Sequence, residues 1–254
     1  MATNYKGVEY PSVTQILGQL NKPALIPWAS RCAVDFIREN LDKLEALMVD
    51  ADAHAVEDLL DEAQKAHTQK KDDAADSGKL AHKAIEAHIA GAEPFVVLSD
   101  NDEAHRAYTA FLKWLDDNTV EFLESEVLVC STLYGYAGRF DLIAMVNGKR
   151  VLIDFKTSTG IYPEMMIQLC AYRQAYNEML HEGQETIENM ALLHLDKITG
   201  EYTYKQVTDE VDRKTEQFNT LVKHYYLEKP RRLKNNPMVI KKGMYGEVPE
   251  GDTF

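Results

Sequence analysis

The chain has 254 residues, 45% of them apolar and 27% charged, a composition that excludes disordered, collagen-like and membrane classes. Its 28 basic and 41 acidic side chains leave a net charge of −13, which excludes a protein that grips nucleic acid by blanket positive charge but not one with a local basic groove. Three cysteines, Cys32, Cys130 and Cys170, lie far apart with no C-x-x-C pair; they suit a reducing compartment and make neither a disulfide framework nor a zinc knuckle.

Residues 12–20 open with a Ser cap and carry apolar positions at helical spacing. A helix over 27–49 follows, with Pro27 in its first turn, and then helices over 53–70 and 77–90 separated by the charged link Lys70-Lys71-Asp72-Asp73. Residues 102–117 form another amphipathic helix, with Ala107, Phe111, Trp114 and Leu115 on one side. Near Glu121 the pattern changes. Segments 122–131, 136–146 and 149–157 are rich in Val, Ile, Leu and Phe and read as strands, before a helix over 163–181. A strand pair over 188–196 and 201–207 surrounds Thr199-Gly200, and a helix over 209–227 closes the pattern. From Lys229 the chain is basic and contains proline. No repeat of 20 to 50 residues is present. Three parts result: a helical N-terminal part over 1–118, an α/β core over 119–228 and a basic tail over 229–254. A mixed sheet flanked by helices is the expected architecture. Met1–Tyr10 has no apolar run of the kind a secretory leader needs, so a cytoplasmic location is expected.

The stretch from Arg139 to Lys156 carries the chemistry. Asn147-Gly148 between apolar runs signals a two-residue type I′ hairpin. Val146 then faces Lys149, and the register runs outward until Asp141 lies opposite Asp154 and Arg139 opposite Lys156. One face holds Phe140, Leu142, Ala144, Val146, Val151, Ile153 and Phe155, a continuous core face. The other holds Ile143, Met145 and Leu152 near the turn, then the four charged residues. Two carboxylates directly across a strand pair repel one another, so something positive belongs between them. Lys156 and Arg139 can fill that role. A divalent cation does so better, because paired carboxylates are hard-oxygen ligands for Mg²⁺ or Mn²⁺. Scattered charges on a solvated face are the alternative reading. An Asp-x-Lys at the end of an apolar strand with a second Asp opposite suits phosphodiester hydrolysis. A metal there activates water and polarises phosphate, while the lysine stabilises developing charge.

Gly138-Arg139-Phe140-Asp141, then Asp154-Phe155-Lys156-Thr157, then Gln168-x-x-x-Tyr172 resemble the PD-(D/E)XK nucleases, in particular their RecB-like exonuclease branch. The resemblance is strongest over 120–180 and extends upstream to Ser77-Gly78-Lys79-Leu80-Ala81-His82, similar to the G-x-x-x-H helix of that branch. Pro11-Ser12-Val13-Thr14-x-Ile16-Leu17 and Trp28 are similar to the start of small phage and mitochondrial single-strand DNA exonucleases. The resemblance implies a restriction-endonuclease-like core and metal-dependent cleavage of DNA, from single-stranded ends, in recombination, repair or replication. It also implies a cytoplasmic setting (a bacterial host cell if phage-encoded) and work beside a recombination or replication protein. Asp141 and Asp154 would hold Mg²⁺ or Mn²⁺ with the backbone carbonyl of Phe155, His82 would be a further ligand, and Lys156 would be catalytic. Gln168 would orient the lysine or a phosphate, and Tyr172 would touch the DNA strand. Some relatives hold an iron–sulfur cluster through one cysteine upstream of the core and three downstream. Nothing cysteinyl follows Cys170, so no cluster is expected, and Cys130 and Cys170 read as small buried hydrophobes.

Other residues extend the candidate site. His82 and Glu86 are four apart on one helix face, with Gly78 a turn earlier, while His88 reads as structural. Arg139, Arg173 and Tyr176 join Tyr172 as candidate DNA contacts, since tyrosine faces stack on unpaired bases. Tyr134, Tyr136 and Tyr162 flank the site. Glu126 is a candidate third acid; Glu124, two residues away and expected on the same face, competes with it. Lys229, Arg231, Arg232, Lys234, Lys241 and Lys242 form a basic cluster able to steer phosphate, and the acidic stretch 50–62 reads as a solvated helix face. The rival readings are a structure-selective endonuclease with the same site and a catalytically silent DNA-binding or interaction module.

Overall fold

The computed structural model describes residues 3–50, 52–98 and 100–228, so the basic cluster from Lys229 lies outside the described residues. The chain divides into two compact units, residues 21–79 and the remainder, with the boundary inside one long helix.

Residues 21–79 hold α2 (Leu25–Glu39), α3 (Leu41–Val49) and most of α4 (Ala53–Ile89), while α1 (Val13–Leu17) belongs to the other unit. The single helix expected over 27–49 is therefore two. They part at Asn40, whose φ of −118° and ψ of 22° are not helical and whose amide donates to the carbonyl of Phe36. The charged link at Lys70–Asp73, conversely, is no break, because α4 runs through it for 37 residues. Charged side chains are sound helix formers when solvated, and this stretch contains no proline. Gln69 donates to Asp73 and Lys79 pairs with Asp76 along its surface. Within this unit Leu59, Ala63, Ala66 and Cys32 are buried, and Trp28 meets His67 edge-on.

The larger unit begins with a hairpin that the sequence reading did not anticipate, β1 (Thr3–Tyr5) and β2 (Val8–Tyr10), turning at Lys6-Gly7 with φ of 50° and 81°. Ser12 then caps α1 as expected, its hydroxyl accepting from the Gln15 N–H. After α4 come a single turn, α5 (Phe95–Leu98), and α6 (Asp102–Asp117), capped by Asn101. The sheet follows: β3 (Val120–Ser131), β4 (Tyr136–Val146), β5 (Lys149–Lys156), then α7 (Pro163–Met179), β6 (Asn189–Leu195), β7 (Tyr202–Gln206) and α8 (Val211–Glu228). Strand order is β3-β4-β5-β6-β7, antiparallel except for β5 and β6. Parallel neighbours need a crossover, and α7 supplies it.

Both faces of the sheet are covered. On one, Phe140, Ile143 and Leu152 pack with α1, α7 and α8 through Val13, Leu169, Tyr172 and Phe218. On the other, Leu142, Ala144, Ile153 and Phe155 pack with the end of α4 and with α6 through Ala81, Ile85, Phe111 and Trp114. This is why β6 reads as a continuous apolar run rather than an alternating one. The half-polar ribbon expected for the β4–β5 hairpin is corrected accordingly: Ile143 and Leu152 are fully buried. Cys130 and Cys170 are buried thiols, as read from the sequence.

The hairpin turn is as expected, with Asn147 and Gly148 at φ of 50° and 78° and Val146 paired with Lys149. The register holds out to Leu142 opposite Ile153 and no further. Beyond it the backbone departs from simple alternation. Leu142 belongs to one core, whereas Phe140 belongs to the other, together with Ile143, and not to the face expected for it. Across the strand pair, β3 gains an extra residue near Leu123. Glu126, flanked by the pairs Ser125–Leu142 and Val127–Phe140, takes a left-handed φ of 52°.

Candidate active site

These paired irregularities place the carboxylates. Asp141 does not sit in a regular ladder pair with Asp154. Its Oδ2 instead accepts the Phe155 N–H at 2.5 Å, which replaces a ladder hydrogen bond with a side-chain one. Its other oxygen lies 3.3 Å from His82 Nδ1. His82 is on the last part of α4 and meets the Phe155 ring edge-on. His82, Glu86, Ile89, Ser125, Glu126, Asp141 and Phe155 line one shallow recess. Ser125 and Ile89 carry no sequence signal for this place.

Glu124 and Glu126 do not share a face. Glu124 accepts from the Tyr176 hydroxyl at 2.8 Å and pairs with Arg150, while Glu126 turns to the recess and pairs with Arg139 at 3.4 Å. The left-handed backbone at Glu126 breaks the alternation that the sequence reading assumed.

Behind the recess runs a buried chain of contacts. Asp154 is 4% exposed and meets the Lys156 ammonium. Lys156 Nζ donates to Gln168 Oε1 at 2.8 Å, and Gln168 Nε2 donates to the Tyr172 hydroxyl at 2.9 Å. Gln168 and Tyr172 are one turn apart on α7, whose crossover places them beside the end of β5. The Tyr172 ring packs against Phe140 and against the bare backbone of Gly138, where a Cβ would fall 2.6 Å from a ring carbon. That contact explains the glycine at this position.

Four residues were expected to touch DNA. Arg139 is exposed and pairs with Glu126. Arg173 spans to the carbonyl of Ile187 with its Nε. Tyr172 and Tyr176 are core residues instead, because α7 turns that face onto the sheet; Tyr176 is held by Glu124 and Arg150. Neither ring offers a face for stacking. Tyr136 is also buried, donating to the carbonyl of Ala171, whereas Tyr162 is exposed and Tyr134 partly so. His88 is structural, its Nδ1 2.8 Å from the Tyr108 hydroxyl.

Electrostatics follow from this packing. Burial lifts the Asp154 carboxyl to about 6; Lys156 opposes the rise and Asp141 adds to it. Burial alone would lower the His82 pKa, but the Asp141 carboxylate beside it turns the net shift upward. Burial and the charge of Asp141 both raise Glu126, against the pull of Arg139. Tyr172 is held well above its ordinary value by burial, so its hydroxyl stays protonated.

The donor set suits a hard divalent cation. Asp154 Oδ2 is buried and forms no well-directed hydrogen bond, although the Lys156 ammonium lies against it. Among the described residues no three His, Cys, Asp or Glu side chains gather closely enough to hold an ion by themselves. Two carboxylates completed by a backbone carbonyl and water are, however, the usual provision for Mg²⁺. The residues that would hold it are Asp141, Asp154 and the carbonyl of Phe155, with His82 beside them.

The fold and this constellation fit a nuclease. The family model of the PD-(D/E)XK nuclease superfamily matches residues 29–238, and the chain belongs to that superfamily. Nucleases of this superfamily generally use divalent metals such as Mg²⁺ or Mn²⁺, and DNA is the substrate the family implies. A search of the curated proteins found no match. Among the described residues no helix is long and apolar enough to cross a membrane.

Proposed function

We propose that the protein is a metal-dependent DNA exonuclease of RecB-like type, acting from single-stranded ends in recombination, repair or replication. The observation that carries the reading is the contact of Lys156 with both Asp154 and Gln168, next to an Asp141 fixed by the Phe155 N–H. A half-buried lysine aimed by a glutamine supports an active enzyme over a silent binding module, which has no need of one.

When bound, the cation supplies polarisation of the scissile phosphate and a water of lowered pKa. The chain's own residues do the rest. Asp141 and Asp154 fix the donor oxygens, one through a backbone hydrogen bond and the other through burial. Lys156 keeps a positive charge where negative charge grows on the phosphate, and Gln168 limits its rotamers so that little reorganisation is needed. His82 serves as a further ligand or holds Asp141 in line. Arg139, exposed at the end of the hairpin, neutralises a neighbouring phosphate.

Support for the need of an end comes from the segment of α4 that brings His82 to Asp141. A helix at that distance shields part of the approach, and a strand reaches the site most easily by threading from a terminus. The test is incubation with end-labelled linear single strands, closed single-stranded circles and duplex, with Mg²⁺, Mn²⁺ or EDTA. Linear strands degraded in either metal, with circles intact, are expected; His82→Ala should slow that degradation and raise the metal concentration it needs. Circles cut as fast as linear strands would replace this reading with a structure-selective endonuclease. Absence of all cleavage would leave a binding module.

A further inference from the structure

The loop that follows Lys156 is tied down more heavily than a six-residue connection requires. His194 lies beside Lys156 in the parallel ladder of β5 and β6 and is 8% exposed. Its Nε2 is 2.6 Å from the carbonyl oxygen of Ser158. A carbonyl only accepts, so Nε2 carries the proton and the imidazole is committed to the loop. The Ser158 hydroxyl then donates to the carbonyl of Gly160, the Thr159 and Tyr162 hydroxyls lie 2.8 Å apart, and the Tyr162 N–H meets the Met165 sulfur. The loop starts at the residue after Lys156 and ends at the N-terminus of the helix that carries Gln168. One end adjoins the lysine, and the other begins the helix whose Gln168 the lysine meets. At its far end Tyr162 is 42% exposed, in contrast to the buried Tyr136, Tyr172 and Tyr176.

We propose that residues 157–162 form a fixed platform on which the ring of Tyr162 stacks against a base of the bound strand, with His194 as its positioning residue. The proposal rests on the nuclease reading and names where that nuclease takes hold of its substrate. Six residues of helix separate Tyr162 from Gln168, about 9 Å along the axis. That is roughly three stacked nucleotides, so the base concerned lies within a few positions of the phosphate at Lys156. An exposed ring with its hydroxyl already hydrogen-bonded presents a π-face with no cost for ordering a loose side chain. Stacking on such a ring is tolerant of sequence, as an enzyme that passes along a strand requires.

Steady-state kinetics on linear single strands test the idea. Tyr162→Ala should raise KM between about 5-fold and 150-fold with kcat nearly kept, and Tyr162→Phe, which keeps the ring but loses its hydroxyl bond to Thr159, should raise it by a much smaller factor. A substrate series with one abasic position should then show a position at which the wild-type enzyme loses affinity and Tyr162→Ala loses none further. His194→Leu should raise KM in the same direction by a smaller factor, and His194→Gln, which restores an N–H of similar reach, should recover it. Unchanged KM in Tyr162→Ala, or additive losses at every abasic position, would overturn the platform while leaving the nuclease reading intact. Absence of cleavage by the wild-type protein would instead strike the nuclease reading. Should His194→Leu fail to fold, the Tyr162 series decides alone.

Discussion

The two aspartates of the site live in opposite surroundings. Asp154 stands on a strand of regular alternation, sealed from solvent, its ion partner held by Gln168 and Gln168 by a Tyr172 packed on Gly138 and Phe140. Asp141 stands where β4 loses its alternation, beside a glutamate of left-handed backbone, on a half-open recess with His82 and Glu86. The first arrangement is built into the core and is complete before substrate arrives. The second has three carboxylates lining one recess, with Arg139 paired to Glu126 and His82 beside Asp141, and would gain most from an added cation. One half of the site is fixed by packing, the other by charge.

The comparison breaks most completely at Asp154. Asp154→Asn removes a charge proposed to hold the cation, and cleavage should fall to background in Mg²⁺ and in Mn²⁺. Without metal the thermal midpoint should change little, because relief of repulsion with Asp141 offsets the lost contact with Lys156. A large drop in that midpoint would assign Asp154 to the fold instead of the chemistry. Excess EDTA should likewise silence the wild-type enzyme.

Next comes the lysine. Lys156→Ala should cut kcat about 10²- to 10³-fold, the scale of losing one donor aimed at developing charge. Binding of uncleaved strand in Ca²⁺ should fall far less, since the charge it meets grows only in the transition state. Equal losses in binding and turnover would make Lys156 a phosphate anchor.

The buried half can also be disturbed without touching a reacting group. Gly138→Ala forces the Tyr172 ring to move, and through Gln168 the displacement reaches Lys156. A shift near 1 Å at the lysine can cost up to about 10²-fold in kcat. KM should be unaffected, and Gly138→Ala combined with Tyr172→Leu should regain part of the rate. If Gly138→Ala lost stability alone, with normal kcat, the buried chain would be packing without positional value.

How much of this was legible in the sequence differs between the two halves for a physical reason. Asp154, Lys156, Gln168 and Tyr172 lie on elements of uninterrupted period, so counting residues along a strand and a helix places them together. The hairpin register was legible as far as Leu142 because Asn147-Gly148 fixes the turn. It failed at Asp141, and the Glu124–Glu126 face failed with it, because no residue type announces a left-handed glutamate. Tyr172 and Tyr176 read as DNA contacts from the sequence, since a tyrosine on a helix carries no mark of which neighbour covers it. The break at Asn40 and the continuity through Lys70–Asp73 both depart from the sequence reading: solvated charges do not interrupt a helix, whereas an asparagine side chain bonded back to the preceding turn marks its end.

The smallest expected effect concerns the strained residue itself. A left-handed φ costs an ordinary side chain about 1 kcal/mol relative to glycine. The protein retains it at Glu126, where the carboxylate also suffers the charge of Asp141. Such strain persists where surrounding structure imposes it, and it concentrates at functional sites. Glu126→Gly should therefore raise the thermal midpoint of the metal-free protein, by relieving both the backbone and the repulsion. Glu126→Gln should give only the electrostatic part of that gain. If the carboxylate helps hold the cation, both variants should need more metal for half-maximal cleavage, by up to about tenfold, with the rate restored at saturation. Because the two substitutions differ in strain but share the lost charge, equal metal titrations would assign the effect to the carboxylate. A defect confined to Glu126→Gly would assign it to the path of the backbone, which turns Asp141 toward His82.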